Sequence, residues 1–254
     1  MELNYIKSGS GYPVIILHGL FGMSDNWKTI ARSLENFFTV YLVDQRNHGK
    51  SPHLPEHSYQ LMADDLYAFF EQQQISSANI IGHSMGGKTA MQFVLQHPEK
   101  VNKLIVVDMG IKRYPAGHDN IFDALRSIDL SVIHSRKDAE QIMAEKLADT
   151  TIQQFLLKNL TRETHGNYRW KFNLEALAAN YENEILAPIK TTNTYTGEVL
   201  FVRGGRSNYI LSEDWDSIQD VFPNAILNTV KDSGHWVHAE KPNELLNIIF
   251  SFFS

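Results

Sequence analysis

One short stretch constrains this chain more than any other: Gly82-His83-Ser84-Met85-Gly86, a serine with a glycine two positions to either side. An apolar strand pattern, Ala78–Ile81, runs into it, and a helical pattern, Lys88–Gln96, runs out. Strand, sharp turn and helix are the context in which G-x-S-x-G becomes a nucleophile elbow. The turn leaves no room for side chains at the flanking positions, so glycine stands there and the serine hydroxyl is held out at the tip. The bare pattern recurs by chance in proteins, so its neighbours and partners decide what it means.

The rest of the chain repeats the alternation of strand and helix. Strand patterns fall at Leu3–Ile6, Val14–His18, Thr39–Asp44, Ala78–Ile81, Lys103–Asp108, Val199–Val202 and Ala225–Thr229. Their apolar runs are continuous rather than alternating, as in a sheet covered on both faces. Helical patterns fall near Trp27–Leu34, Tyr59–Gln73, Gly87–Gln96, Asp214–Val221 and Asn243–Phe252. The expectation is an α/β fold with a mostly parallel central sheet flanked by helices. From about Ile111 to Lys190 the alternation stops. That interval shows no clear strand and has helical patterns at His118–Ser127, Lys137–Leu147, Ile152–Asn159 and Asn173–Tyr181. It reads as a helical cap, residues 111–190, inserted into a core made of 1–110 and 191–254. A separate helical domain is the alternative, and the return of strand pattern at Val199 favours the insertion.

At 254 residues with 43% hydrophobic content, the chain has ample material for one large core. A net charge of −6 without a basic patch argues against nucleic acid as a partner. With no cysteine there are no disulfides, thiolate metal sites or cysteine nucleophiles. No apolar run approaches the roughly 20 residues of a membrane span. The N-terminus lacks a basic stretch followed by an apolar one, which argues against a signal peptide and for a cytoplasmic setting.

A serine hydroxyl needs a base beside it, and the base needs an acid to orient it. Eleven histidines are available. His235 is the preferred base, in the polar turn Asp232-Ser233-Gly234-His235-Trp236 after the last strand pattern, with His238 as the alternative. The acid is harder to place. The loop after Val199–Val202 reads Arg203-Gly204-Gly205-Arg206-Ser207-Asn208-Tyr209 and holds no carboxylate. Asp108, at the carboxyl end of the preceding strand pattern, is therefore preferred, with Glu213 or Asp214 as the alternative. Two backbone N–H groups must meet the oxyanion. Met85 supplies one, and Leu20, in His18-Gly19-Leu20-Phe21-Gly22, the other, with Phe21 as second choice. His18 reads as a structural residue that holds this loop. Phe21, Tyr209, Arg113 and Trp170 are further candidates to touch substrate, Arg113 through a phosphate or carboxylate.

Taken together, these motifs resemble the α/β-hydrolase family over essentially the whole chain. Asp44-Gln45-Arg46-Asn47-His48-Gly49-Lys50-Ser51 is similar to its D-x-R-x-x-G-x-S loop, and Gly234-His235-Trp236-Val237-His238-Ala239-Glu240-Lys241-Pro242 to its C-terminal motif. More narrowly, HGLFG, DQRNHGKSP, GHSMGGK and GHWVHAEKP resemble a bacterial esterase subgroup related to acyl-CoA thioesterases. The resemblance implies a small-molecule acyl ester or thioester substrate, an acid at Asp108, and Trp236 lining the acyl pocket. It implies no metal and no organic cofactor. Asp44 and Arg46 read as structural. Lys88 reads as a surface residue, or else as a phosphate contact for a coenzyme A tail. Carbon–carbon bond hydrolases and perhydrolases use the same triad, and a slow-turnover receptor on this fold is the rival from another class.

Overall fold

Seven strands form one sheet, and their order places three loop ends side by side. The computed structural model describes residues 1–164 and 166–254. Strands β1 (Tyr5–Ser8), β2 (Tyr12–Leu17), β3 (Phe38–Val43), β4 (Ala78–His83), β5 (Val101–Val107), β8 (Glu198–Gly204) and β9 (Ile226–Val230) lie in the order β1-β3-β2-β4-β5-β8-β9. Only β1 runs antiparallel to its neighbour. The intervening β6 (Leu160–Arg162) and β7 (Tyr168–Trp170) make a separate antiparallel hairpin.

The continuous apolar runs are explained by what covers each face. Side chains alternate across a strand, so Val14, Ile16, Ile81, Ile105 and Val107 point one way, while Ile15, Leu17, Ile80, Leu104 and Val106 point the other. The first set packs with α1 (Lys28–Leu34) and α10 (Pro242–Phe253) through Ile30, Leu34, Leu245 and Ile249. The second packs with α2 (Tyr59–Gln72) and α3 (Met85–Gln96) through Leu66, Phe69, Phe93 and Val94. The edge strand β9 departs from the expected pattern: with one neighbour and little cover, it leaves Ile226 54% exposed.

Between β5 and β8 the chain makes α4 (Asp119–Arg126), α5 (Arg136–Ala144), α6 (Thr150–Leu157) and α7 (Leu174–Ala179). A π-helical turn, Tyr181–Ile185, follows α7. The expectation of no strand here is corrected by the β6–β7 hairpin. Its three-residue strands are too short to show an alternation, and Leu160 pairs with Trp170 from across the turn. After β8 come α8 (Trp215–Val221), β9 and the short α9 (Val237–Glu240).

Candidate active site

Ser84 stands between β4 and α3 with φ 53° and ψ −121°, a conformation that L-residues enter at a cost. The surroundings hold it there. Its N–H donates to the Val107 carbonyl (3.0 Å), and its carbonyl accepts from Gly87 N–H (2.8 Å). The two flanking glycines are sterically required. A Cβ on Gly82 would lie 2.3 Å from the Gly86 carbonyl oxygen, and one on Gly86 2.4 Å from that of Leu17.

Because β5 lies beside β4, Asp108 emerges next to Ser84. It too has positive φ, 51°, and it is fully buried. Its carboxylate Oδ1 accepts from Gly204 N–H (2.9 Å), and Oδ2 accepts from the Ser207 hydroxyl. His235 comes in from the turn after β9. Its Nδ1 donates to Asp108 Oδ2 (2.7 Å), which leaves Nε2 to accept from the Ser84 hydroxyl (3.0 Å). The carboxylate is thus fixed by bonds of its own before it orients the imidazole. The end of β8 contributes the Gly204 N–H and the loop after it Ser207, where a carboxylate is lacking.

The alternatives lie elsewhere. Asp214 pairs with Lys112 (2.6 Å) and accepts from Leu211 N–H, and Glu213 is exposed. His238 is buried and stacks on Trp27 at 4.5 Å, and burial pushes its pKa down to about 3. His83, inside the elbow motif, donates through Nε2 to the His235 carbonyl (3.0 Å). Burial drives its pKa well down, so it holds the turn as a neutral ring. Tyr209 lies flat on His235, centroids 3.9 Å apart.

The loop after β2 borders Ser84 and is held by two further neutral histidines. His18 Nδ1 donates to the Gly19 carbonyl (2.8 Å) and Nε2 accepts from Gln45 N–H (3.0 Å). His48 Nδ1 donates to the Arg46 carbonyl (2.9 Å) and Nε2 accepts from Phe21 N–H (3.2 Å). Burial lowers the pKa of both rings, which keeps each acceptor nitrogen free of a proton. Phe21 N–H is therefore already engaged. Asp44 and Arg46 are structural as expected. Asp44 accepts from the N–H groups of Ser24 and Lys50, and Arg46 pairs with Asp65 at 2.6 Å.

Above Ser84 opens a cavity of about 460 Å³. Leu20, Phe21, Met85, Tyr209, His235 and Trp236 line its core side, and Ile121, Ile152, Phe155, Leu156 and Ile185 its far side. Trp236 faces Phe155 at 5.8 Å. Two expected contacts are corrected. Arg113 is exposed and donates to the Glu182 carbonyl outside the cavity, its side chain directed away from the wall that its neighbour Tyr114 forms. Trp170 stacks on Phe172 inside the intervening segment, so β7 buries it as core. Lys88 is corrected as well: it is buried, with its amine on main-chain carbonyls. Missed altogether were His48, Ser207 and the α6 residues Ile152 and Phe155. The apolar spacing of Ile152, Phe155 and Leu156 is the one signal that marked a buried face.

Comparison with known proteins agrees with this architecture. The family described as "alpha/beta hydrolase fold" matches residues 12–242. The chain is 35% identical to esterase YbfF of Escherichia coli K12, over 93% of this chain and 91% of that one. It is 36% identical to the sn-1-specific diacylglycerol lipase ABHD11 of Mus musculus, over 100% of this chain and 85% of that one. A solved marine microorganism esterase, 44% identical, superposes with a TM-score of 0.96 over 99% of each chain. The chain belongs to the α/β-hydrolase family.

Proposed function

We propose that Ser84, His235 and Asp108 are the catalytic triad of this chain and that residues 111–190 form the cap of its acyl pocket. The enzyme is a carboxylesterase-type serine hydrolase. The observation that carries the triad is the unbroken bond path from Ser84 Oγ through the His235 ring to Asp108 at the floor of an apolar cavity.

His235 takes the Ser84 proton as the hydroxyl attacks an ester or thioester carbonyl. Asp108 keeps the proton of the resting ring on Nδ1 and stabilises the imidazolium that forms. The N–H groups of Leu20 and Met85 receive the oxyanion, a contribution of about a hundredfold or more in rate per donor. His235 then protonates the leaving group and activates the water that releases the acyl group from Ser84. The chemistry calls for no metal or organic cofactor. A cavity walled by Phe21, Phe155, Leu156 and Trp236 favours a hydrophobic acyl group. We assign the enzyme to the cytoplasm, in keeping with a chain that has no cysteine. Among the described residues no helix is long and apolar enough to cross a membrane.

Ser84→Ala tests this reading. Hydrolysis of p-nitrophenyl butyrate should fall by about 10⁴-fold or more with the fold intact by circular dichroism. Retained turnover in that variant removes Ser84 as nucleophile.

A further inference from the structure

Lys88 lies in the first turns of α3, four residues after Ser84, and its side chain is fully buried. Placing an ammonium out of water costs several kcal/mol unless polar partners replace the water. An apolar residue on this helix face would avoid that cost, so the partners must explain the lysine. They are two carbonyls far apart in sequence. Nζ donates to the Lys112 carbonyl (2.8 Å) and to the Ala187 carbonyl. The first lies on the arm by which the chain leaves β5. The second lies on the arm by which it comes back toward β8. The ring of Tyr114 faces the amine at 4.9 Å and that of Tyr59 at 5.5 Å. Such faces favour a cation.

The neighbours of Lys88 tie the same two arms. Tyr114 N–H donates to the Leu186 carbonyl (3.0 Å), and Ile189 N–H to that of Ile111 (2.8 Å). Tyr59, at the start of α2, donates its hydroxyl to the Ile185 carbonyl (2.7 Å). One path leads back to the site. The Tyr114 hydroxyl donates to the Tyr209 carbonyl (2.7 Å), and the Tyr209 ring is the one lying on His235. Arg113 is the charged side chain that bears on the amine, and it repels it. The Lys112 amine is turned away onto Asp214.

We propose that Lys88 is a positioning residue that pins both arms of the 111–190 segment to α3, and so sets the far wall of the acyl pocket relative to Ser84. The pin acts on geometry and touches neither substrate nor reacting atoms. It rests on the acyl-pocket reading above.

Lys88→Met keeps the length and removes the donors. Three readouts apply: kcat and KM for p-nitrophenyl esters from acetate to octanoate, labelling of Ser84 by a fluorophosphonate, and limited proteolysis. The pin requires KM to rise about tenfold for octanoate, with little change in kcat for acetate and continued Ser84 labelling. It also requires faster cleavage within 112–190, where local opening becomes easier. Lys88→Arg, which keeps donors, should recover part of both losses. A folded Lys88→Met with wild-type KM across the series and wild-type proteolysis overturns the proposal.

If Lys88→Met does not fold, chemical replacement reads the same amine. The chain has no cysteine, so Lys88→Cys carries a single thiol. Alkylated in denaturant with 2-bromoethylamine and refolded, it should regain octanoate turnover. The 1-iodopropane adduct, of similar shape without the amine, should not. Equal recovery from both adducts overturns the pin. If Ser84→Ala stayed active, the triad reading would fall, and the proteolysis comparison would still report on Lys88.

Discussion

The two halves of the cavity are held in opposite ways. On the core side the groups are fixed by directional bonds. Ser84 is held through its own backbone, Asp108 by Gly204 and Ser207, and the loop after β2 by His18 and His48. On the far side the lining is mostly apolar, from Ile121 and Phe155 to Ile185, with the bonded pair His118–Tyr181 among it, and polar bonds tie the segment to the core at its ends, around Lys88 and Tyr59, and at Asn159 and Asn173. The difference follows from what each half must do. Proton transfer and oxyanion binding need atoms placed to within a few tenths of an ångström. Enclosing an acyl chain needs shape and water exclusion, which packing supplies without direction.

The sharpest way to break this division is to damage one bond on the core side. Asp108→Asn keeps the shape but disturbs the ring tautomer, and kcat should fall about 10³–10⁴-fold with KM little changed. Glu213→Gln should stay near wild type in the same assay. A normal rate for Asp108→Asn would take the carboxylate out of the triad. A change in the far wall should behave differently. Phe155→Ala should alter kcat/KM for octanoate relative to acetate by about tenfold, leaving the acetate rate nearly intact. Equal loss on both esters would show that α6 supports the chemistry as well as the pocket.

The smallest effect tests the boundary between the halves. Burial pushes the Lys88 amine down to about 7, from an ordinary 10.5. The unfolded chain keeps that proton up to about 10.5, so it binds more protons than the folded chain between those values. Stability from this group is therefore fully present above about 10.5 and is lost as pH falls toward 7. In thermal melts, wild type should gain a few degrees over Lys88→Met between pH 7 and 10. A gap in Tm that stays constant with pH would mean that the amine ionises as it does in water.

Legibility in the sequence followed the same division. The elbow around Ser84 was readable because strand, glycines and helix are contiguous, and close packing forces each glycine. Asp108 was readable from a lack, since residues 203–209 hold no carboxylate. The far side was less so. Whether Trp170 enters the cavity or the core depends on a hairpin of three-residue strands, which leaves no periodic signal. Arg113 was misplaced for a similar reason: its direction is set by where the arm turns. Lys88 was unreadable because its partners are main-chain carbonyls at 112 and 187, and carbonyls have no signature in sequence.

The pairing of β5 with β8 has a further consequence. Past Asp108, residues 109–197 leave the sheet and rejoin it on the neighbouring strand, with Val107 opposite Val202 and Lys103 opposite Glu198. The excursion is thus a crossover loop that leaves at the carboxyl end of β5 and returns at the amino end of β8, two points the sheet holds at a fixed separation. Closing such a loop costs only about 0.6 kcal/mol more for each doubling of its length. Length and content can change there at little entropic expense, while every strand pairing of the sheet is kept. The stretch that shapes the pocket is the one the fold is freest to exchange, so new acyl preferences can arise without disturbing the residues proposed to do the chemistry.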